Sequence, residues 1–246
     1  MTLSCTVVLA LSPLAGAQTS SVPLAESSHN QVSAHELQIP RKAREAFRKG
    51  TELLDAKQSA ASVAEFQQAI KIFPDFYEAY YKIGLASLNL QKYTEAQTAF
   101  QTSIELSKGR YPPAQFGLGV ALCIQKEFAG AEEAVRAGLD AYPADAAGNF
   151  TLAWVLFGAG RLPEAEKSAR RAVLSNANMA SAYLLLAQVH LRQSDLPAVV
   201  SDLDAYLALE PAGVHNTEAR AIRTQAQQVL AKQQGSGPIF AKTPTP

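Results

Sequence analysis

The chain has 246 residues, of which 48% are hydrophobic and 18% are charged, and its 22 basic residues balance 22 acidic ones. A net charge of zero argues against nucleic-acid binding, which normally needs a basic face, and against a polybasic membrane anchor. Alanine-rich helix-forming stretches dominate and alternating β-branched runs are scarce, so the composition predicts an all-α fold.

An apolar run without charge extends from Leu3 to Ala17, and Ala15–Ala17 has the small-x-small form of a cleavage site. The run is shorter than the roughly 20 residues of a membrane span. We therefore predict a cleavable signal peptide over 1–17, with cleavage near Ala17–Gln18, and a secreted or periplasmic mature chain. Because the first basic residue is Arg41, an uncleaved anchor and a non-targeting tail remain as alternatives.

Residues 18–40 are rich in Ser, Gln and Ala and lack a periodic apolar pattern, which predicts a flexible linker. His29 and His35 lie in it, and two histidines in such an arm are expected to be solvated and not to bind a metal. Cleavage would leave Cys123 as the only cysteine, so no intramolecular disulfide is expected. A lone thiol on an apolar helix face is typical of a core or groove residue.

The rest of the chain repeats itself every 34 residues, with one extra residue around Tyr111. The blocks are 43–76, 77–111, 112–145, 146–179 and 180–213, and each contains two amphipathic helical patterns. Small residues recur where two helices cross closely. In the first helices they are Gly50, Gly84, Gly119, Ala153 and Ala187, and in the second helices Ser62, Ala96, Ala131, Ala165 and Val199. Three blocks close on Pro74, Pro143 and Pro211, whereas Lys108 and Ala177 stand at the other two ends, so those two turns must close differently.

The period and these residues resemble the tetratricopeptide repeat family over about residues 41–213. The second block carries the aromatic, small-residue and phenylalanine positions of the family in Tyr80, Gly84, Ala96 and Phe100. The fourth block departs most, with Asn149 and Ala169 where the family prefers aromatics. The resemblance implies a right-handed superhelical solenoid of about five helix-turn-helix repeats.

After the last repeat, one amphipathic helix is predicted over 214–234, where Asn216 or Thr217 can cap it and an apolar stripe can cover the end of the array. Residues 235–246 are rich in Gly and Pro and are expected to be a disordered tail.

The sequence contains no catalytic or cofactor motif among those searched, including metalloprotease, nucleophile-elbow and phosphate-loop patterns. We therefore expect no enzyme activity, no cofactor and no metal site. His190 stands where the repeat expects an aromatic side chain between helices, which predicts a buried structural histidine. The acidic residues Glu132, Glu133, Asp202 and Asp204 lie on polar helix faces and are expected to be solvated.

In this family the first helices line the concave side, so the resemblance implies a groove with a ladder of apolar side chains. The predicted groove residues are Phe47, Tyr81, Leu85, Phe116, Val120, Phe150, Trp154, Phe157 and Leu184. They would bind an apolar peptide or helix of a partner protein. Pure packing, and self-association or a docked terminus, are the alternatives.

Some family members bind a partner's terminal carboxylate through Lys, Asn and Arg at set groove positions. Those places hold Phe47, Thr51, Lys82, Pro113 and Gly117 here, so no such clamp is expected. The predicted function is a non-enzymatic protein–protein interaction scaffold or adaptor of the bacterial cell envelope, with a protein partner, no nucleic acid and no membrane span in the mature chain. The alternative is a self-associating structural or spacer protein, such as a homodimer, tethered by its N-terminal segment.

Overall fold

The computed structural model describes residues 34–235, and within that range the chain forms helices and no strand. The helices are α1 (Ala34–Gln38), α2 (Arg41–Asp55), α3 (Ser59–Ile72), α4 (Tyr77–Asn89), α5 (Tyr93–Ser107), α6 (Pro112–Ile124), α7 (Phe128–Ala141), α8 (Ala146–Gly158), α9 (Leu162–Ser175), α10 (Ala180–Gln193), α11 (Leu196–Leu209) and α12 (Asn216–Gly235). The predicted signal peptide over 1–17, most of the predicted linker and the tail after residue 235 lie outside the described residues.

Helices α2 to α11 form five hairpins, each made of a first and a second helix. Each second helix packs against its own first helix and against the first helix that follows, and the described second helices do not contact one another. Successive first helices do touch, most extensively α6 and α8. The first helices therefore form the inner layer and the second helices the outer layer. The predicted fold class is confirmed: a right-handed superhelical solenoid of helix-turn-helix repeats with a C-terminal capping helix.

The turn inside every hairpin contains one residue with a left-handed backbone. These residues are Lys57, Gln91, Lys126, Gly160 and Ser194, with φ between 59° and 77°. They occupy the same place in all five repeats, which explains why the hairpins share one geometry. Only Gly160 lacks a Cβ, so the other four turns hold a side chain in a conformation that costs about 1–2 kcal/mol.

The two junctions without proline do close differently. Between the second and third repeats, Lys108 and Gly109 are both left-handed, with φ of 53° and 70°, and this double turn accommodates the extra residue before α6. Between the fourth and fifth repeats, the Asn176 side-chain oxygen accepts a hydrogen bond from the Asn178 backbone N–H at 3.0 Å. An asparagine turn thus replaces the proline at that junction.

The small residues predicted in the first helices permit close packing of large rings. A Cβ added to Gly84 would lie 2.5 Å from Cε1 of Phe100, and one added to Gly50 would lie 2.7 Å from Cε1 of Phe66. Both rings are fully buried. Carbon atoms normally approach to about 3.5–4.0 Å, so only glycine fits beneath these rings.

The N-terminal end of the array differs from the prediction of a flexible, solvated linker up to residue 40. Residues 34–38 are helical, and Ile39 is only 5% exposed in the core of the first repeat. The His35 ring stacks on Tyr77 with centroids 4.4 Å apart, and its Nε2 lies 3.1 Å from the Asp75 carbonyl oxygen. His35 was expected to be solvated and instead makes tertiary contacts with the start of the second repeat.

The C-terminal helix α12 packs on α11 through the buried side chains of Ala219, Ile222 and Ala226. The sequence offered Asn216 or Thr217 as a cap of α12, but the Asn216 side chain does not cap the helix. Its amide nitrogen instead donates to the Glu210 carbonyl oxygen at 2.6 Å, which ties the start of α12 to the end of α11. Across residues 34–235, no helix has both the length and the apolarity that a membrane crossing requires.

Candidate functional site

The nine predicted groove residues all lie on first helices of the inner layer, but they differ in exposure. Tyr81 and Phe116 are only 7% exposed. The other seven are partly buried: Phe47, Leu85, Val120, Phe150, Trp154, Phe157 and Leu184. Two residues of the ladder therefore serve mainly in packing, and seven keep some surface that a partner could contact.

The Phe116 ring is held where the third and fourth repeats meet. A Cβ added to Gly138 would lie 2.5 Å from its Cε1, and one added to Gly148 would lie 2.5 Å from its Cζ. The ring thus packs closely against both α7 and α8. Two glycines, one on each of these helices, make this possible, and the contact between α6 and α8 is the most extensive one between successive first helices.

The N-terminal half of the inner face is occupied by the chain's own aromatic rings. The Tyr111 ring lies 5.3 Å from that of Tyr77 and 5.4 Å from that of Tyr81, and the Phe47 ring lies 4.8 Å from that of Phe76. Burial raises the pKa of Tyr81 to about 12. It also raises the pKa of Tyr111, with smaller contributions from the neighbouring tyrosines and Glu78. Tyr111 is the extra residue of the repeat pattern, and its ring packs on both Tyr77 and Tyr81.

The C-terminal half of the inner face is apolar and keeps partly exposed side chains. Helices α6 and α8 contain no Asp, Glu, Lys, Arg or His, and their side chains form one buried cluster against which Trp154 and Phe157 pack while remaining partly exposed. Val120 lies partly exposed on the neighbouring α6. Cys123 is 7% exposed in the same cluster, and burial raises the pKa of its thiol to about 11. The cysteine is therefore a neutral, buried residue of this cluster, which is the core alternative of the prediction.

One charged side chain borders this apolar wall. The guanidinium carbon of Arg192, on α10, lies 4.2 Å from the centroid of the Phe157 ring. Its Nη1 donates to the Phe157 carbonyl oxygen at 3.4 Å, so the side chain spans from α10 to the end of α8. The electron-rich face of the ring attracts the cation, and so does the partial negative charge at the C-terminus of α8. Sequence reasoning did not identify Arg192, because its stacking partner lies in the preceding repeat.

His190 is buried, as predicted, but it belongs to an ion network that was not predicted. It is 2% exposed, and its Nδ1 lies 2.6 Å from Oδ2 of Asp202. On the other side its Nε2 lies 3.4 Å from Oε1 of Glu166, which also pairs with Arg170. The expectation that Asp202 is solvated is therefore wrong, since the carboxylate is 9% exposed and satisfies the histidine.

Burial and hydrogen bonds shift the pKa values of the two carboxyl groups in this network in opposite directions. Burial raises the pKa of Asp202, against a lowering by the hydrogen bond to His190. Burial also raises that of Glu166, but hydrogen bonds from Arg170, Gln193 and His190 outweigh it, so the pKa of Glu166 is lowered overall. The network joins α9, α10 and α11, away from the groove, and its geometry is that of a structural tie. Within the described part of the chain, no cluster of three His, Cys, Asp or Glu side chains could hold a metal ion.

Comparison with known proteins agrees with this architecture. The family model described as Tetratricopeptide repeat matches residues 47–110, 82–146 and 150–213. No curated protein matches the chain in sequence.

Several solved structures share the fold at low sequence identity. TTC0263, a thermophilic TPR protein in Thermus thermophilus, superposes with a TM-score of 0.65 and 20% identity, covering 76% of this chain and 99% of its own. PilW, a widely conserved type IV pilus biogenesis factor, gives 0.66 and 15%, covering 82% and 96%. YrrB, a TPR protein with an unusual peptide-binding site, gives 0.52 and 16%, covering 73% and 92%.

The family model covers well over half of the 246 residues, and the matched segments run from α2 to the turn after α11. The chain therefore belongs to the tetratricopeptide repeat family.

Proposed function

We propose that this protein is a non-enzymatic scaffold that binds an apolar peptide or helix of a partner protein in the C-terminal half of its inner groove. Its family fold is that of a protein–protein interaction scaffold. The observation that carries the proposal is the uncharged pair α6 and α8, whose inner side chains Val120, Trp154 and Phe157 remain partly exposed. Binding would remove this apolar surface from water, and the rigid array would lose little conformational freedom.

The packing of the N-terminal half also favours a binding site in the C-terminal half. Because Tyr77, Tyr81 and Tyr111 already pack on one another there, that half offers fewer free apolar surfaces. Among the solved structures of the same fold, YrrB is a precedent for peptide binding by such an array. The site in our proposal is therefore formed by Val120, Phe150, Trp154, Phe157 and Leu184, and the buried Phe116 supports it from within.

The test uses Trp154, the only tryptophan of the chain, as a built-in reporter. A random peptide library displayed on phage is panned against the purified full chain, and selected peptides are titrated while Trp154 fluorescence is recorded. We expect Phe157→Ala to weaken binding at least about tenfold, because a partly buried aromatic anchor is lost. Leu174→Ala, at an 86% exposed leucine on the outer helix α9, is the matched control and should bind normally. Peptides that bind without changing Trp154 fluorescence, and equally well to both variants, would contradict the groove site.

We further propose that the protein works in the bacterial cell envelope, on the basis of the apolar leader over 1–17. The role of the similarly folded PilW in type IV pilus biogenesis agrees with such a location. The test is expression of the full chain in a Gram-negative host, followed by fractionation and mass determination. A periplasmic species beginning at Gln18 is expected, and a cytoplasmic species that retains residues 1–17 would refute the localisation.

Self-association through the same apolar surface is the competing function. Light scattering coupled to size-exclusion chromatography separates the two functions. A stable dimer whose dissociation on dilution shifts Trp154 fluorescence would favour a spacer or structural role, and a monomer would favour the peptide-binding role.

A further inference from the structure

The cationic side chain of Arg192 contacts the apolar wall of the C-terminal groove at Phe157, and its arrangement leaves most of its hydrogen-bonding capacity unused. The guanidinium group has five N–H donors. One of them donates to the Phe157 carbonyl oxygen, and the guanidinium plane is held over the Phe157 ring. Among residues 34–235, no carboxylate lies within ion-pair distance of it. The nearby Arg161 and Arg170, by contrast, are each paired with glutamates.

Stacking and the single backbone hydrogen bond fix where the guanidinium stands before any ligand arrives. A side chain held in this way loses little rotamer freedom when it binds, and arginine's planar fork matches a carboxylate. Helices α6 and α8 carry no charge that could compete for it. The low polarity of that wall also strengthens a charge–charge contact beside it relative to one in open water.

We propose that this end of the groove recognises an acidic side chain, Asp or Glu, within the partner's apolar segment, with Arg192 as the residue that binds it. The inference rests on the proposed peptide-binding function and specifies its ligand. An internal acidic side chain is favoured over a terminal carboxylate because the facing helices α6 and α8 offer no second cationic side chain, whereas the family's terminal-carboxylate clamp combines several basic and amide side chains.

The positions of Arg192, Trp154 and Val120 set where the acidic residue lies in the partner. The Arg192 guanidinium lies over Phe157, which is three residues, or about 4.5 Å, along α8 from Trp154. An extended peptide rises about 3.3 Å per residue, so the acidic residue is expected one or two residues from the apolar residue opposite Trp154. Neighbouring packed helices are about 8–10 Å apart. A second apolar residue, opposite Val120 on α6, is expected about three residues further on.

The probe is a set of acetylated, amidated peptides selected by panning the displayed library, each made also with its acidic residue changed to Asn or Gln. We expect the selected peptides to be enriched in Asp or Glu one or two residues from an aromatic or aliphatic residue. Arg192→Gln should lower the affinity for the acidic peptides about tenfold and leave the affinity for the Asn or Gln versions unchanged. The reason is that a partly exposed hydrogen bond to a charged group contributes about a factor of ten to an affinity. Added salt should weaken acidic peptides with the original chain but not with the variant.

Binding of the neutral peptides shows whether the variant groove is intact. If Arg192→Gln does not fold, Arg192→Lys keeps the charge, removes the planar fork, and should still weaken acidic peptides selectively. Selection without acidic enrichment, or equal weakening of acidic and neutral peptides by Arg192→Gln, would overturn the acidic-ligand proposal while peptide-induced changes in Trp154 fluorescence still support the groove. A free peptide C-terminus that substitutes fully for the internal acid would also overturn it. If no peptide changes Trp154 fluorescence, the proposed groove function fails as well.

Discussion

Replacing Gly148 with alanine tests whether Phe116 is a packing residue or a free groove anchor. Gly148 is the third residue of α8, and a Cβ there would lie 2.5 Å from Cζ and 2.7 Å from Cε1 of Phe116. Ordinary carbon contacts are about 3.5–4.0 Å, so the ring would have to move by about 1 Å. Its movement is restricted, because the ring is only 7% exposed and Gly138 of α7 also packs against its Cε1 atom.

The expected magnitude follows from two opposing terms. Alanine is more favourable than glycine inside a helix by up to about 1 kcal/mol. Overpacking a filled core typically costs about 1–3 kcal/mol. We therefore expect Gly148→Ala to lower the free energy of unfolding by about 1–2 kcal/mol. The clash with the ring should be relieved in the Gly148→Ala, Phe116→Leu double variant, and the end of the flexible Leu139 side chain, 2.8 Å from the new Cβ, can shift, giving a favourable coupling energy of about 1–2 kcal/mol.

The chain offers a matched control at Gly130, which is the third residue of α7. A Cβ there would meet only Cδ1 of Leu122, at an ordinary 3.5 Å. Gly130→Ala should therefore be neutral or stabilising by up to about 1 kcal/mol. Urea unfolding followed by both Trp154 fluorescence and circular dichroism is the measurement, since repeat arrays need not unfold in a single cooperative step.

Equal free energies of unfolding for Gly148→Ala and Gly130→Ala would contradict the enclosure of Phe116. The same conclusion would follow if the changes in unfolding free energy of Gly148→Ala and Phe116→Leu were additive. Either result would mean that the Phe116 ring moves freely, and Phe116 would then return to the set of candidate partner anchors.

Three further predictions concern single residues. Gly160→Ala should destabilise the chain by about 1–2 kcal/mol, although nothing lies within 4 Å of the new methyl group, because φ is +77° there; an unchanged urea midpoint would contradict this. Cys123 in a Cys5→Ser background should react with iodoacetamide far more slowly at pH 8 in the native chain than in urea. Burial raises its pKa to about 11, so the thiol's contribution to stability is complete below about pH 9 and is lost as the pH rises through 11; equal native and unfolded labelling rates would refute this. His190→Ala should cost about 3 kcal/mol in thermal or urea unfolding because it leaves the Asp202 carboxylate without its closest partner, and a loss below about 1 kcal/mol would mean that the pair is dispensable.

The fold was predictable because it depends on side-chain sizes and on the spacing of small residues along the sequence. A 34-residue period with glycine or alanine at the crossing points leaves two-helix units that must stack, and the contacts of Gly50 and Gly84 with Phe66 and Phe100 show the physical reason. The proline positions even indicated which junctions would differ. The proline positions could not predict the backbone conformation at the junctions without proline, since a pair of left-handed residues such as Lys108–Gly109 has no strong sequence signature.

The candidate site was only partly predictable, because the same aromatic position can face the groove or the next helix. Phe116 and Trp154 both fit the groove pattern, yet the glycines of two other helices decide that Phe116 is enclosed. The burial of Asp202 was missed for a similar reason. One signal was available: a buried histidine needs a hydrogen-bond partner, and a carboxylate twelve residues later, on the paired helix, is a natural one.

The two ends of the array bear on how a second copy could bind. Stacked repeats leave an unpaired helix face at each end, and such faces promote end-to-end assembly unless they are polar. On α2 the exposed face carries the ion pairs Arg41–Glu45 and Arg48–Glu52, and α12 exposes Arg220, Gln227 and Gln228. Burying these groups against another copy would cost more than it returns unless each found a new partner. Apolar association is therefore expected at the uncharged inner wall of α6 and α8, which is why self-association and peptide binding compete for the same surface and why Trp154 reports on both.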